Sequence, residues 1–376
     1  MVWWKSLRLK SNNPAVRLKA IEELGTCESL EEFDLVAASL SDDDAQVRCA
    51  AVRALSKAKV GGVSKLLIER LSDPDAGVRE AAASGLSRAG DAEGCARLSA
   101  LLRDPVPAVR TAAASALRFL KWRPADDEEQ ARWDLALGNP NAASFRGAAA
   151  VNPLVAELKH DTGFVRRAAA EALERTNDPR RIKPLLTAMT DLDPTVRVSA
   201  IHALGKEDDE IVTSAILRAF RDRDPHVRLA AAQVLLRRQD PALADHYLSL
   251  LADDNFEVRL TAVQFLTKFK EPQVAEAILP LLGDPDGDVR LAVARALGAL
   301  GHSGAIEGLV LALTDDDSSV RQAAEHSLNQ IDINWTQGEA AQRAGSQLEA
   351  ALDKRPDWVR AAAMQVLRKL RAAAPA

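Results

Sequence analysis

Residues 222–236 read Asp222-Arg223-Asp224-Pro225-His226-Val227-Arg228-Leu229-Ala230-Ala231-Ala232-Gln233-Val234-Leu235-Leu236. Val227, Ala231 and Leu235 stand four residues apart, which places them on one face of a helix of period 3.6. The Asp-Arg-Asp-Pro ahead of them is turn chemistry. Asp accepts from the unpaired N–H groups of a first helical turn, and Pro suits the first helical position. Upstream, Ile211 to Phe220 is a second apolar-periodic stretch. The segment predicts one helix, a tight turn and a second helix.

The Val-Arg dipeptide at its centre recurs at Val16, Val47, Val78, Val109, Val165, Val196, Val227, Val258, Val289, Val320 and Val359. The steps are 31, 31, 31, 56, 31, 31, 31, 31, 31 and 39 residues. Counting from each Val as zero, position +8 is always Leu, and +4 is Ala everywhere but Val293. Position −7 is Leu except at Met189 and Phe220. Position −5 is Asp in eight units, with Ser11, His160 and Lys354 in the others. A pair of short helices cannot bury its apolar faces alone, whereas stacked pairs can. We therefore expect an all-α, right-handed solenoid of eleven or twelve antiparallel helix pairs with no strand. Its length is on the order of 100 Å at ordinary helix-packing distances.

The period near 31, the Asp and Arg six residues apart across the turn, and Pro inside the first helix (Pro153, Pro184, Pro280) resemble HEAT repeats. The likeness is to the short bacterial variety also called phycobilisome-lyase-like, and it covers nearly the whole chain. It implies a ladder of Asp–Arg ion pairs, by position Asp42–Arg48, Asp73–Arg79 and Asp191–Arg197, with Asp222–Arg228 as a mid-array example. It also implies that units lacking the Asp leave their Arg without that partner. Finally, it implies that the second helices line a concave groove.

The rule breaks in three places. The 56-residue step carries an insert with Lys121-Trp122-Arg123-Pro124, Asp126-Asp127-Glu128-Glu129, Trp133 and Gly138-Asn139-Pro140-Asn141. It reads as a truncated helix pair and a bend. The last step holds eight extra residues around Ile333-Asn334-Trp335. The first unit has at most a short leading helix, Val2 to Leu9, and the tail from Arg371 is expected to fray. These breaks divide the chain into a first array (1–123), an irregular insert (124–160), a regular array (161–332) and a C-terminal capping repeat with its tail (333–376). All six Trp lie in or beside them: Trp3, Trp4, Trp122, Trp133, Trp335 and Trp358. Two readings stand: large rings plugging imperfect joints, or an exposed aromatic binding spot. Trp3-Trp4-Lys5 as a membrane contact is a weaker third.

Composition narrows the function. The chain has 376 residues, is 47% hydrophobic and carries a formal charge of −5. It is therefore neither disordered nor a polyanion binder as a whole. Residues 161–240 hold 14 basic against 13 acidic side chains, so no basic stripe marks a nucleic-acid groove. Cys27, Cys49 and Cys95 form no CxxC pair, which argues against a disulfide scaffold or a cysteine-rich zinc site and favours a reducing, cytoplasmic setting. No signal-peptide core and no run of roughly 18 apolar residues is present. The six His form no HxH or HExxH group, and the His-Glu pairs of HEAT-like deoxyhypusine hydroxylases do not occur. Gly301-His302-Ser303-Gly304 is one residue short of GxSxG. Asp42-Asp43-Asp44 and Asp315-Asp316-Asp317 occupy the repeat turn and read as caps rather than metal ligands. No catalytic residue, cofactor or metal is expected, and no bilin-binding motif can be matched.

Position +6 of the second helix lies off the buried face. In the regular array it reads Glu171, His202, Gln233, Gln264, Arg295 and His326. Amides and imidazoles one repeat apart suit hydrogen bonding to an extended peptide; the bland alternative is a solvated face. We expect a non-catalytic scaffold gripping a protein or peptide through His202, Gln233, Gln264, Arg295 and His326, with Trp122 and Trp133 of the insert as further candidates. A bilin-lyase-like or other enzymatic activity and nucleic-acid binding are the alternatives.

Overall fold

A computed structural model describes residues 2–27, 29–58, 62–89, 92–269, 271–351 and 357–373. The side chains of Trp3 and Trp4, and Lys354, lie outside the described set. Among the described residues the chain forms twelve helix pairs and no strand. Two compact units divide it, Met1–Leu185 and Leu186–Ala376.

Within the first unit the second helices Pro14–Leu24, Ala45–Leu55, Ala76–Ala89 and Pro107–Phe119 stack in succession. Within the second unit Pro194–Leu204, Pro225–Leu236, Phe256–Leu266, Gly287–Leu300 and Ser318–Ile331 do the same. The repeat columns explain the stacking. Val227, Ala231 and Leu235 are buried, as are Val258, Ala262 and Leu266 one unit on. Small residues let the backbones approach. A Cβ on Gly298 would lie 2.6 Å from Ser327 Cβ, and Ser327 Oγ donates to the Ala294 carbonyl at 2.8 Å. Tyr247 is wholly buried, stacked on Phe265 at 3.8 Å, with its hydroxyl donating to the Ala232 carbonyl at 2.5 Å.

The turn works as its residues dictate. The Asp at −5 accepts from the N–H two residues on, as Asp222 does from Asp224 at 2.9 Å. The residue at −3 is the N-cap: Asp224 accepts from His226 N–H at 2.9 Å, and Asn255 from Glu257 and Val258. Pro194 and Pro225 open their helices. Ser11 and His160, standing where Asp is missing, keep the turn contact, accepting from Asn13 N–H at 3.2 Å and Thr162 N–H at 3.0 Å. Several first helices tighten into a 3-10 turn before this corner, at Ser39–Ser41, Leu101–Arg103 and Ala219–Arg221.

The breaks take definite form. The leading helix spans Val2–Leu9. In the insert, helix Asp127–Ala136 is followed by Pro140–Ser144, five residues where other units carry eleven or more. The stretch around Trp335 is a 3-10 turn, Trp335–Gln337, with the Trp ring buried. The tail corrects an expectation: the last helix, Asp357–Ala373, runs through Arg371 without fraying there, because Val366, Leu367 and Leu370 are buried.

Candidate functional site

The ion pairs run between units rather than within them, which corrects the expected ladder. Arg228 donates from Nε and Nη2 to Asp253 of the next unit at 2.7 and 2.8 Å. Its Nη1 donates to the Asp222 main-chain carbonyl at 2.9 Å, while the Asp222 carboxylate receives Arg197 of the preceding unit. Arg48–Asp73, Arg79–Asp104, Arg259–Asp284 and Arg290–Asp315 repeat the fork. Asp42–Arg48, Asp73–Arg79, Asp191–Arg197 and Asp222–Arg228 are thus main-chain contacts, not ion pairs. Nor does a missing Asp strand the Arg of its own unit: Arg17, in the unit with Ser11, forks Asp42 at 2.7 Å twice. Each guanidinium ties its own turn to the neighbouring one, and the bidentate geometry makes the tie specific.

These contacts set the carboxylates' acidity. The fork from Arg17 holds Asp42 below the usual carboxylate range, against the opposing effect of burial. At Asp222 burial pushes the carboxyl up, but hydrogen bonds from Arg197 and the Asp224 amide outweigh it and leave the group below its ordinary value. The same balance lowers Asp253 and Asp284.

Where the next unit lacks Asp, the ladder improvises. Arg110 reaches past the truncated unit to the one with His160 in the −5 place, and donates there to Glu157, one helical turn earlier. It donates from Nη2 alone, at 2.8 and 3.1 Å, so the fork is half used. Arg321 lies over the Trp358 ring at 5.6 Å, a cation–π contact. Nothing in the repeat columns signals Glu157, because −8 carries no fixed residue.

The second helices from Pro14–Leu24 to Pro107–Phe119 pack in succession, as do those from Pro194–Leu204 to Ser318–Ile331, while most successive first helices stand apart. The second-helix layer is therefore the tighter, inner one. On its face Gln233, Gln264, Arg295 and His326 are exposed and His202 is half-buried, all five within the second unit. One turn back, at +2, Val198, Leu229, Leu260 and Leu291 form a half-buried apolar row, missed in reading the sequence although Leu recurs in three consecutive units. Lys206, Arg237 and Lys268 are exposed beyond the polar row. In the first unit the corresponding Glu22 and Arg53 line a cleft of ≈ 460 Å³ with Leu18, Cys49 and Lys57.

The insert tryptophans serve the joint. Trp122 and Trp133 meet edge to face at 5.8 Å, both half-buried, and Trp133 Nε1–H donates to the Ala114 carbonyl at 3.0 Å. Beside them the short helix Pro140–Ser144 leaves a notch of ≈ 310 Å³ between helices Pro107–Phe119 and Gly163–Glu174. The three cysteines are free thiols. Among the described residues no three His, Cys, Asp or Glu side chains cluster as a metal would need, and no helix is long and apolar enough to cross a membrane. Gly301 is a left-handed helix terminator with φ 66°, which accounts for a glycine at that position.

The sequence matches the family described as HEAT repeats over residues 3–66, 64–150, 125–205, 151–236, 182–255, 213–289, 244–329 and 275–368. No curated protein matches it. Among solved structures it is similar to an engineered protein, at 20% identity over 98% of each chain with a TM-score of 0.39. It is also similar to importin beta, at 14% identity and a TM-score of 0.38, covering 98% of this chain and 61% of that one. The chain thus spans about three fifths of that importin chain.

Proposed function

Because the chain belongs to the HEAT-repeat family, we propose that it is a non-catalytic scaffold holding a protein partner, as an extended segment, along the inner face of the second unit. One observation carries this reading. A polar row, Gln233, Gln264 and Arg295, stands exposed beside an apolar row, Leu229, Leu260 and Leu291, on the same layer of packed helices. Successive members stand ~10 Å apart if the helices pack ordinarily. An extended strand advances ~3.3 Å per residue, so every third residue meets a new member. Amides and a guanidinium can grip its main chain while the leucines, at the same spacing, contact the apolar side chains that face them. The three free thiols support placing the protein in the cytoplasm. The test replaces Gln233, Gln264 and Arg295 together by Ala. These side chains lie off the core, so the melting curve should hold while partner affinity falls at least about tenfold. Unchanged affinity rejects the site.

A second reading, an enzymatic or bilin-lyase-like activity, is favoured by the notch at the truncated unit, where Arg110, Glu157 and His160 meet. Against it, the one carboxylate among the notch's lining side chains is spent on Arg110. Nucleic-acid binding is disfavoured because residues 161–240 balance 14 basic against 13 acidic side chains.

A further inference from the structure

We propose that the notch left by the truncated unit receives one large apolar side chain of a peptide, whose main-chain carbonyl accepts from Arg110 Nε–H and His160 Nε2–H. The notch shares no residue with the row His202 to His326, so it stands whether or not that row binds. Its origin is geometric. Helix Pro140–Ser144 sits toward the far ends of its neighbours, where Asn141 accepts from Arg175. The turn-side halves of Pro107–Phe119 and Gly163–Glu174 are therefore left without the helix that a full unit would put between them.

The walls are Pro107, Leu135, Leu137, Pro140, Phe164 and Ala168. A volume of ≈ 310 Å³ lies at the lower end of ligand pockets, enough for one anchor residue and its peptide group. Apart from the exposed Thr111, the polar side chains of its lining are Arg110, Glu157 and His160, which form its base. Arg110 gives Nη1 to the carbonyls of Asp104 and Pro105 and Nη2 to Glu157, leaving its Nε–H unspent. Every full fork of the ladder uses that N–H, as Arg79 does toward Asp104. His160 accepts at Nδ1 from Thr162, which puts the proton of the neutral ring on Nε2. The base thus offers two donors.

Charge selects the occupant. Arg110 and Glu157 cancel, and a ligand carboxylate would lie against Glu157. A neutral acceptor meets no such repulsion, and a peptide carbonyl attached to an apolar side chain supplies it. The mouth argues for a peptide over a free small molecule. Phe164 stands there 66% exposed with Arg167 over its ring at 5.3 Å, apolar surface on which residues flanking the anchor can lie.

Saturation-transfer NMR on the full chain tests this, with acetyl-Gly-Phe-Gly-amide as probe and acetyl-Gly-Ala-Gly-amide as control. Saturable binding of the Phe peptide alone is expected. Thr111→Trp fills the notch from an exposed helix position and should weaken binding about tenfold or more, with the melting curve unchanged. If that variant does not fold, Ala168→Leu fills the notch from the opposite wall. His160→Ala should also weaken the peptide, and the Gln233, Gln264, Arg295 triple variant should bind it as wild type does. The proposal is overturned if the Phe peptide does not bind or if a filled notch binds it equally. It is also overturned if the triple variant loses it, or if toluene, which lacks an acceptor, binds as tightly.

Discussion

At Arg228 one guanidinium meets two turns: it forks the Asp253 carboxylate and donates to the Asp222 carbonyl. Both charged side chains are largely buried. Arg228→Ala should therefore cost about 3 kcal/mol, since it leaves Asp253 without its counter-charge. Urea unfolding measures it. A double-mutant cycle decides the register: Arg228 with Asp253 should couple by about 1–3 kcal/mol, and Arg228 with Asp222 by clearly less. Acid reports the same contacts. Asp222, Asp253 and Asp284 lie below the ordinary value of 3.8 when folded. As pH falls through that range the unfolded chain takes up protons first, so this stability is present above 3.8 and is lost below it. A melting temperature that holds steady between neutral pH and 4 and then drops is expected. This register was not legible from spacing alone. With a period of 31, a pair six apart within a unit and a pair 25 apart across units are the same pattern. The clue was Ser11: a first unit without Asp is harmless only if its own Arg looks forward.

Helix boundaries were legible because every unit repeats its apolar face, most repeat a capping side chain, and Pro opens the helices at Pro14, Pro107, Pro194 and Pro225. Val106 departs from the rule, standing in the N-cap place with no side-chain acceptor. Val106→Asp should stabilise helix Pro107–Phe119 by about 1 kcal/mol, read as a raised urea midpoint. Gly298 runs the other way. Ala there is a better helix former, but its Cβ would fall within 2.6 Å of Ser327 Cβ. Gly298→Ala should destabilise by about 1–2 kcal/mol as the two helices are forced apart. The truncated unit was recognisable as a break from its 56-residue step. Its shape was not, because a five-residue helix carries too few positions to show a period, and Glu157 and Phe164 follow no column of the repeat.

At the scale of the molecule, the helix pairs, their number and their stacking follow from one repeated sequence, and the family match agrees with it along the chain. The binding face is less legible, since exposure, unlike burial, imposes no pattern. The polar row at +6 stands out by its chemistry, whereas nothing in the type of the leucines at +2 separates them from core leucines, and only their partial exposure marks the row. We propose a partner on the inner face of the second unit. Site-specific photo-crosslinking tests it most directly, with a benzophenone amino acid at Gln264 on the inner layer and, in a second protein, at the exposed first-helix residue Glu276. One dominant protein should be captured from position 264, its capture abolished by changing Gln233 and Arg295 to Ala, and none from position 276. Capture of that protein from 276, or equal capture from both, would contradict the proposal.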